Sequence, residues 1–315
     1  MFIHAILCYV ITTLTLPIFI RYMHSQQFGQ AIRGEGPAWH EQKAGTPTMG
    51  GAVMVAVSFL SLLLTSIMKR SWWGEAWLLM LVLLLFAGIG FSDDFIKIFK
   101  KQNEGLTSKQ KFLLQILAAA LMSLLLVVLC VPTSLPFFSQ WTFTQPLLLF
   151  LFNVVWLVGF SNAYNLTDGL DGLATGLGSI SFFAYFLLAL KQGQLGVAIF
   201  CAGMLASLLG FLLFNVKPAK IFMGDVGSLA IGAALAFVSI LLQRPWSLLL
   251  FGFLYIVETL SVIIQVAVFQ TTGKRIFKMS PIHHHFEMLG WSEWRVVLTF
   301  WGVQALVALL GLLLI

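Results

Sequence analysis

The sequence predicts an all-α integral membrane protein: a single polytopic domain over residues 1–315 with ten transmembrane helices. Three observations predict it. Of 315 residues, 59% are hydrophobic and only 10% charged, with a mean hydropathy of +0.95, more than a water-soluble domain of this size needs. Apolar runs of spanning length recur at 2–20, 49–68, 76–92, 112–131, 146–161, 173–190, 195–214, 226–243, 246–270 and 294–315. No segment alternates with a period of two, which excludes a β-barrel in favour of a helix bundle. No soluble domain, long linker or internal repeat interrupts the runs.

The first run has no basic residue before it, and its first cation, Arg21, follows it. This predicts a retained helix with the N-terminus outside, not a cleaved signal. With ten spans the C-terminus is outside as well. On that topology fourteen of the eighteen Lys and Arg residues fall in inner loops, and only Lys69, Arg70, Lys191 and Arg244 lie outside. Cytoplasmic loops collect cations in this way, so the orientation follows. The net charge of +6 is therefore mostly a cytoplasmic basic face, suited to anionic headgroups and soluble phosphates. Spread over five loops, those cations do not suggest a nucleic-acid surface. Cys8, Cys130 and Cys201 lie in or at the ends of apolar runs with no CxxC spacing, and read as packing residues.

All five aspartates, Asp93, Asp94, Asp168, Asp171 and Asp225, fall at cytoplasmic span ends on this map. An Asp at a span centre costs about 2.5–3.5 kcal/mol, so an end position is expected for any one of them. Clustering of all five on one side is not, and it predicts a cleft on the cytoplasmic face.

In chain order, the first inner loop ends in GTPTMGG (45–51), where Thr48, nearby glycines and Lys43 suit a phosphate cradle, or simply a loop entering a helix. FSDDFIK (91–97) puts Asp93 and Asp94 at a helix C-terminus, where the macrodipole disfavours anions. A compensating cation is needed, either Lys97 or a bound Mg2+. The basic stretch 100–111 reads as a surface loop touching lipid headgroups. SNAYNLTDGLDGLATG (161–176) spaces Asn165, Asp168 and Asp171 at i, i+3 and i+6, one side of a helical first turn, with Gly169 and Gly172 opening the backbone to a bulky ligand. Either aspartate could instead cap the next helix.

NVKPAKIFMGDVGS (215–228) combines Asn215, two lysines, Phe222 and Asp225, the parts of a nucleotide site. Asp225 as an N-cap and Phe222 as an interface anchor are the plainer alternatives. Glu258, Ser261 and Gln265 form one polar stripe on the ninth run, which should face the bundle interior or an aqueous groove. SPIHHHFE (280–287) offers His283 and His284 to a metal or a diphosphate, although consecutive side chains diverge.

GTPTMGG, SDDFIK, NAYNLTDGLDGLATG, NVKPAKIFMGDVGSLA and SPIHHHFE, present in this order, make the chain resemble the phospho-N-acetylmuramoyl-pentapeptide transferase family. That family is a branch of the polyprenyl-phosphate N-acetylhexosamine-1-phosphate transferases. The resemblance covers essentially the whole chain, and Ser280, where the family is expected to have Ala, is a small departure. It implies transfer of phospho-MurNAc-pentapeptide from its UDP carrier to undecaprenyl phosphate. The products would be lipid I and UMP, made by a Mg2+-dependent homodimer at the inner face of the bacterial plasma membrane. It further implies Asp93, Asp94, Asp225 and His283 as catalytic residues, with metal held by Asp225 and Asp94. Substrate contacts would come from Lys43, Thr48, Asn165, Asp168, Gly169, Leu170, Asp171, Asn215, Phe222, Gln265 and His284. A GlcNAc-1-phosphate transferase is the nearest alternative, against which the triple histidine argues. A transporter is a more distant one, because its ionisable groups should lie near mid-bilayer, where only Glu258 is placed.

Overall fold

The computed structural model describes residues 1–26, 45–69, 74–99, 105–129, 131, 135–136, 142–143 and 145–315. Seven long helices come first: α1 (Phe2–Ser25), α2 (Gly50–Lys69), α3 (Gly74–Phe99), α4 (Ser108–Val128), α5 (Pro146–Thr167), α6 (Leu173–Lys191) and α7 (Leu195–Asn215). They are followed by α8 (Gly224–Leu241), α9 (Leu248–Phe251), α10 (Phe253–Thr272), α11 (Ile282–Met288) and α12 (Glu293–Leu314). Among the described residues nine helices are long and apolar enough to cross a membrane, and α8 is a shorter apolar helix. Among the described residues one strand pairing is present, a two-residue antiparallel ladder of β1 (Leu135–Pro136) with β2 (Thr142–Phe143) in the connection between α4 and α5.

Local chemistry sets several boundaries. A capping box starts α4, the Thr107 side chain accepting from Gln110 N while the Gln110 side chain accepts from Thr107 N. Pro146 at the first position starts α5, where its missing N–H would have had no partner anyway. Ser292 caps α12 by accepting from Arg295 N.

The run at 246–270, expected as one span, is broken at Gly252 between α9 and α10. The break strands backbone groups in an apolar interior, and one fully buried side chain restores them. Gln304 of α12 accepts from Leu254 N at 3.0 Å and donates to Phe251 O at 2.7 Å and Leu250 O at 3.1 Å. Ser181 of α6 donates a further bond to Phe251 O at 2.5 Å. An interrupted helix survives in a membrane when neighbours re-satisfy it in this way.

At the centre stands α8, whose residues from Val226 to Leu241 are all buried. It packs on α3, α5 and α2, while α1, α6 and α7 form the adjoining wall. Large apolar side chains such as Leu121 and Leu124 on α4 and Leu306 and Leu313 on α12 point outward, as a lipid-facing surface requires. Close packing inside relies on small residues. Gly90 of α3 lies directly on the α8 backbone, and a methyl group there would overlap the Asp225 carbonyl. Gly88, half a turn away, has nothing within 4 Å. Gly90→Val is therefore expected to destabilise the protein by about 1–3 kcal/mol through overpacking. Gly88→Ala is expected to leave the thermal midpoint in detergent unchanged or slightly higher, and parallel melts of the two variants check this.

Candidate active site

Five stretches distant in sequence meet at one end of the bundle. Asp93 and Asp94 lie near the end of α3 and are almost fully buried, and Asp225 lies in the first turn of α8. One oxygen from each can be chosen so that all three lie within 4.8 Å of one another. Asp225 does not cap its helix; that position is Met223. Instead Asp94 reaches across and its Oδ2 accepts from Val226 N at 3.1 Å, so a carboxylate of α3 serves the N-terminus of α8. The positive end of the helix dipole there favours both anions.

Two ammonium groups hold the three carboxylates together. Lys97 Nζ lies 2.5 Å from Asp93 Oδ2, 3.5 Å from Asp225 Oδ2 and 3.7 Å from Asp94 Oδ1. Lys111 Nζ lies 2.5 Å from Asp225 Oδ2 and 3.1 Å from Asp93 Oδ2. Lys97 thus supplies the cation that an acidic pair near a helix C-terminus requires. Lys111 corrects the expectation of a peripheral lipid-facing loop, because the capping box of α4 turns it inward over α3. Leu106 N closes the other side of Asp93 with a 2.9 Å bond to Oδ1. The cluster opens into a groove of about 800 Å³ lined by Asp93, Lys97, Lys111, Phe112, Asn162 and Asn165 among others. Three hard oxygen donors grouped in this way are of the kind that could hold a divalent cation such as Mg2+.

The stretch around Asp168 is not the first turn of a helix, as its spacing suggested. Asn165 lies in the last turn of α5, Asp168 is the C-cap of α5, and Asp171 sits in the turn before α6, which starts after Gly172. The three side chains consequently diverge. Asn165 Nδ2 donates to Asp225 Oδ1 at 2.9 Å and Ser228 Oγ at 2.7 Å, joining the carboxylate cluster. Asp171 Oδ2 accepts from Ala219 N at 3.0 Å, and Asp171 N donates to Glu293 Oε1 at 2.8 Å. Glu293 Oε2 in turn pairs with Lys217 at 2.8 Å. Glu293, which no sequence motif singled out, is the tie between this turn and the 215–222 segment. Leu170 is buried beneath the turn, and Gly169 is exposed on top of it.

Other expected contact residues hold loops in place. Asn215 donates to Ile221 O at 3.0 Å and accepts from Thr175 Oγ1 at 2.6 Å, shaping the segment that carries the half-buried Phe222. That segment is clamped to the 45–50 loop, with Phe222 N donating to Pro47 O at 2.8 Å and Gly50 N to Phe222 O at 2.9 Å. Thr48 is buried beside Gly224. Lys43 lies outside the described residues. Gln265 Oε1 accepts from Ile276 N at 3.1 Å and Phe277 N at 3.0 Å, fixing the approach to α11. The three histidines diverge as expected. His283 Nδ1 pairs with Glu258 Oε1 at 3.0 Å, His284 Nδ1 with Glu287 Oε2 at 2.8 Å, and His285 Nδ1 accepts from Lys278 N at 3.1 Å. Glu258, Ser261 and Gln265 all face inward, so the polar stripe lines the interior.

These features define a carboxylate-and-lysine centre at the ends of membrane helices, and the profile of glycosyl transferase family 4 matches residues 76–243, which carry all five aspartates. Over 307 residues the chain is 51% identical to the phospho-N-acetylmuramoyl-pentapeptide-transferase of Levilactobacillus brevis, covering 96% of this chain and 94% of that protein. It is 49% identical over 311 residues to the protein of that name in Listeria monocytogenes and 48% over 307 in Lactiplantibacillus plantarum, with the same shares covered. The chain belongs to the phospho-N-acetylmuramoyl-pentapeptide-transferase family.

Desolvation pushes the Asp168 carboxyl up to about 7, the Asp225 and Asp171 carboxylates add to the effect, and His283 opposes it. The folded carboxyl keeps its proton to higher pH than the unfolded one, whose value is 3.8. Its contribution to stability is thus complete below that value and is lost as pH rises towards about 7. Asp168→Asn, neutral throughout, is expected to flatten the fall in thermal midpoint between about pH 5 and 7, measured in one detergent at constant ionic strength.

Proposed function

We propose that this chain transfers phospho-MurNAc-pentapeptide from UDP-MurNAc-pentapeptide to undecaprenyl phosphate, releasing UMP and forming lipid I for peptidoglycan. The observation that carries the reading is the convergence of Asp93, Asp94 and Asp225 with Lys97 and Lys111 in one cluster, in a member of this family. The chain acts as one polytopic domain in the bacterial plasma membrane. The α8 helix is the tenth span, both termini are outside, and the groove opens to the cytoplasm among anionic lipids. The distribution of Lys and Arg supports that orientation. The homodimer rests on the family resemblance alone.

Asp94 and Asp225 would hold Mg2+, which supplies neutralisation of charge building on the departing UMP. Asp93 orients the lipid phosphate or accepts its proton, so that a phosphate oxygen attacks the sugar-linked phosphorus directly. Lys97 and Lys111, which lie beside these carboxylates, would contact phosphate oxygens. Phe222 stacks on the uracil, a contact worth about 1–3 kcal/mol by analogy with other base–aromatic pairs. Thr48, Asn165, Asp168, Gly169, Leu170, Asp171, Asn215, Gln265 and His284 shape or contact the nucleoside side, and His283 lies toward the phosphates.

Purified protein with undecaprenyl phosphate and Mg2+ is expected to release UMP from UDP-MurNAc-pentapeptide and not from UDP-GlcNAc. Asp225→Asn is expected to be silent, and removing Mg2+ with EDTA is expected to stop the reaction reversibly. Turnover of UDP-GlcNAc alone would overturn the assignment.

A further inference from the structure

Among the described residues Glu258 is the one acidic residue deep within a long apolar helix, and its side chain is fully buried. A buried carboxyl at that depth is expensive unless it is paired and serves a purpose. Its partner is His283, also fully buried, with Nδ1 3.0 Å from Glu258 Oε1. Two atoms of the pair have no hydrogen-bond partner: Glu258 Oε2 and His283 Nε2. Those two orphans distinguish two protonation patterns. If the carboxyl donated to Nδ1, the ring proton would sit on Nε2 as a buried donor with no acceptor, a state costing about 1–3 kcal/mol. If Nδ1–H donates to the carboxylate, both orphans are acceptors and Nε2 is left with a free lone pair, at the cost of a buried negative charge on Glu258 that only a working role for the pair justifies.

Nε2 is also directed at a defined place. It lies against Gly169 in the turn between α5 and α6, so closely that any side chain at 169 would overlap the ring. Gly169 is exposed on its other face. The ring nitrogen thus lies directly beneath a glycine at the protein surface.

We propose that Glu258 is a positioning residue: it fixes His283 as the Nδ1–H tautomer, so that Nε2 is presented beneath Gly169 as an acceptor for an O–H group of the substrate. A protonated phosphate oxygen and a sugar hydroxyl share that chemistry. The helix break at Gly252, held by Gln304, sets the rotation of α10 and thereby aims Glu258. The logic is that of a carboxylate orienting a catalytic imidazole through the nitrogen that does not react. This inference rests on the transferase reading for its kinetic consequence, but not for the tautomer.

The test combines 15N spectroscopy of histidine-labelled protein with kinetics of Glu258→Gln. The His283 resonances are assigned by their loss in His283→Gln. Wild-type His283 is expected to show a protonated Nδ1 and an unprotonated Nε2, and Glu258→Gln a mixture of tautomers. The variant is expected to keep its thermal midpoint and to bind UMP within twofold of wild type, while kcat falls about ten- to hundredfold. Gly169→Ala, which displaces the ring and leaves Glu258 intact, is expected to lower kcat similarly. A wild-type Nε2–H tautomer would overturn the proposal. So would full kcat in Glu258→Gln, or a loss of kcat matched by losses of UMP binding and thermal midpoint. If wild type released no UMP, the transferase reading would fail while the spectra still decided the tautomer.

Discussion

The arrangement depends on where α8 begins. Its eighteen residues are embedded in the middle of the bundle, so the unpaired N–H groups of its first turn cannot be left to solvent. Asp94 of α3 answers one of them, at Val226 N, and Asp225 occupies the same turn. A capping carboxylate contributes about 1 kcal/mol, and the helix dipole adds about 0.3–1 kcal/mol for each anion. Those gains are small beside the repulsion among three carboxylates within 4.8 Å of one another. Lys97 and Lys111 offset the remainder. The same carboxylates that terminate a buried helix are thus kept together, beside a groove that Asp93 lines.

Small residues and broken regularity make this possible. Without Gly90, α3 could not approach the α8 backbone closely enough for Asp94 to reach Val226. Without the interruption between α9 and α10, the stripe of Glu258, Ser261 and Gln265 would be presented at a different rotation. The interruption is tolerated because Gln304 and Ser181 supply the missing bonds.

Sequence alone made the spans legible because hydropathy reports directly on the solvent a helix faces. It also placed Asp93, Asp94 and Asp225 at one end, since charge is costly elsewhere along a span. The break at Gly252 was hidden because an apolar run looks the same whether or not it is continuous, and its repair comes from Gln304, fifty residues away. Lys111 was misjudged for a related reason: a basic loop looks peripheral until a capping box fixes which way its first turn faces. The regular spacing of Asn165, Asp168 and Asp171 suggested one helical face, but the chain leaves α5 between the first and second of them. Motif recognition marked Asn215 and Gln265, yet only the structure shows their amides engaged by the loops that surround them.

Diffraction at the manganese edge from crystals of the full chain soaked in Mn2+ tests the central claim most directly, because Mn2+ accepts the same oxygen donors as Mg2+. The account predicts an anomalous peak in contact with Asp94 and Asp225, with Lys97 and Lys111 displaced from their present carboxylate partners. It would be contradicted by an experimental structure in which Asp93, Asp94 and Asp225 lie apart around the bundle, or in which the metal binds only elsewhere.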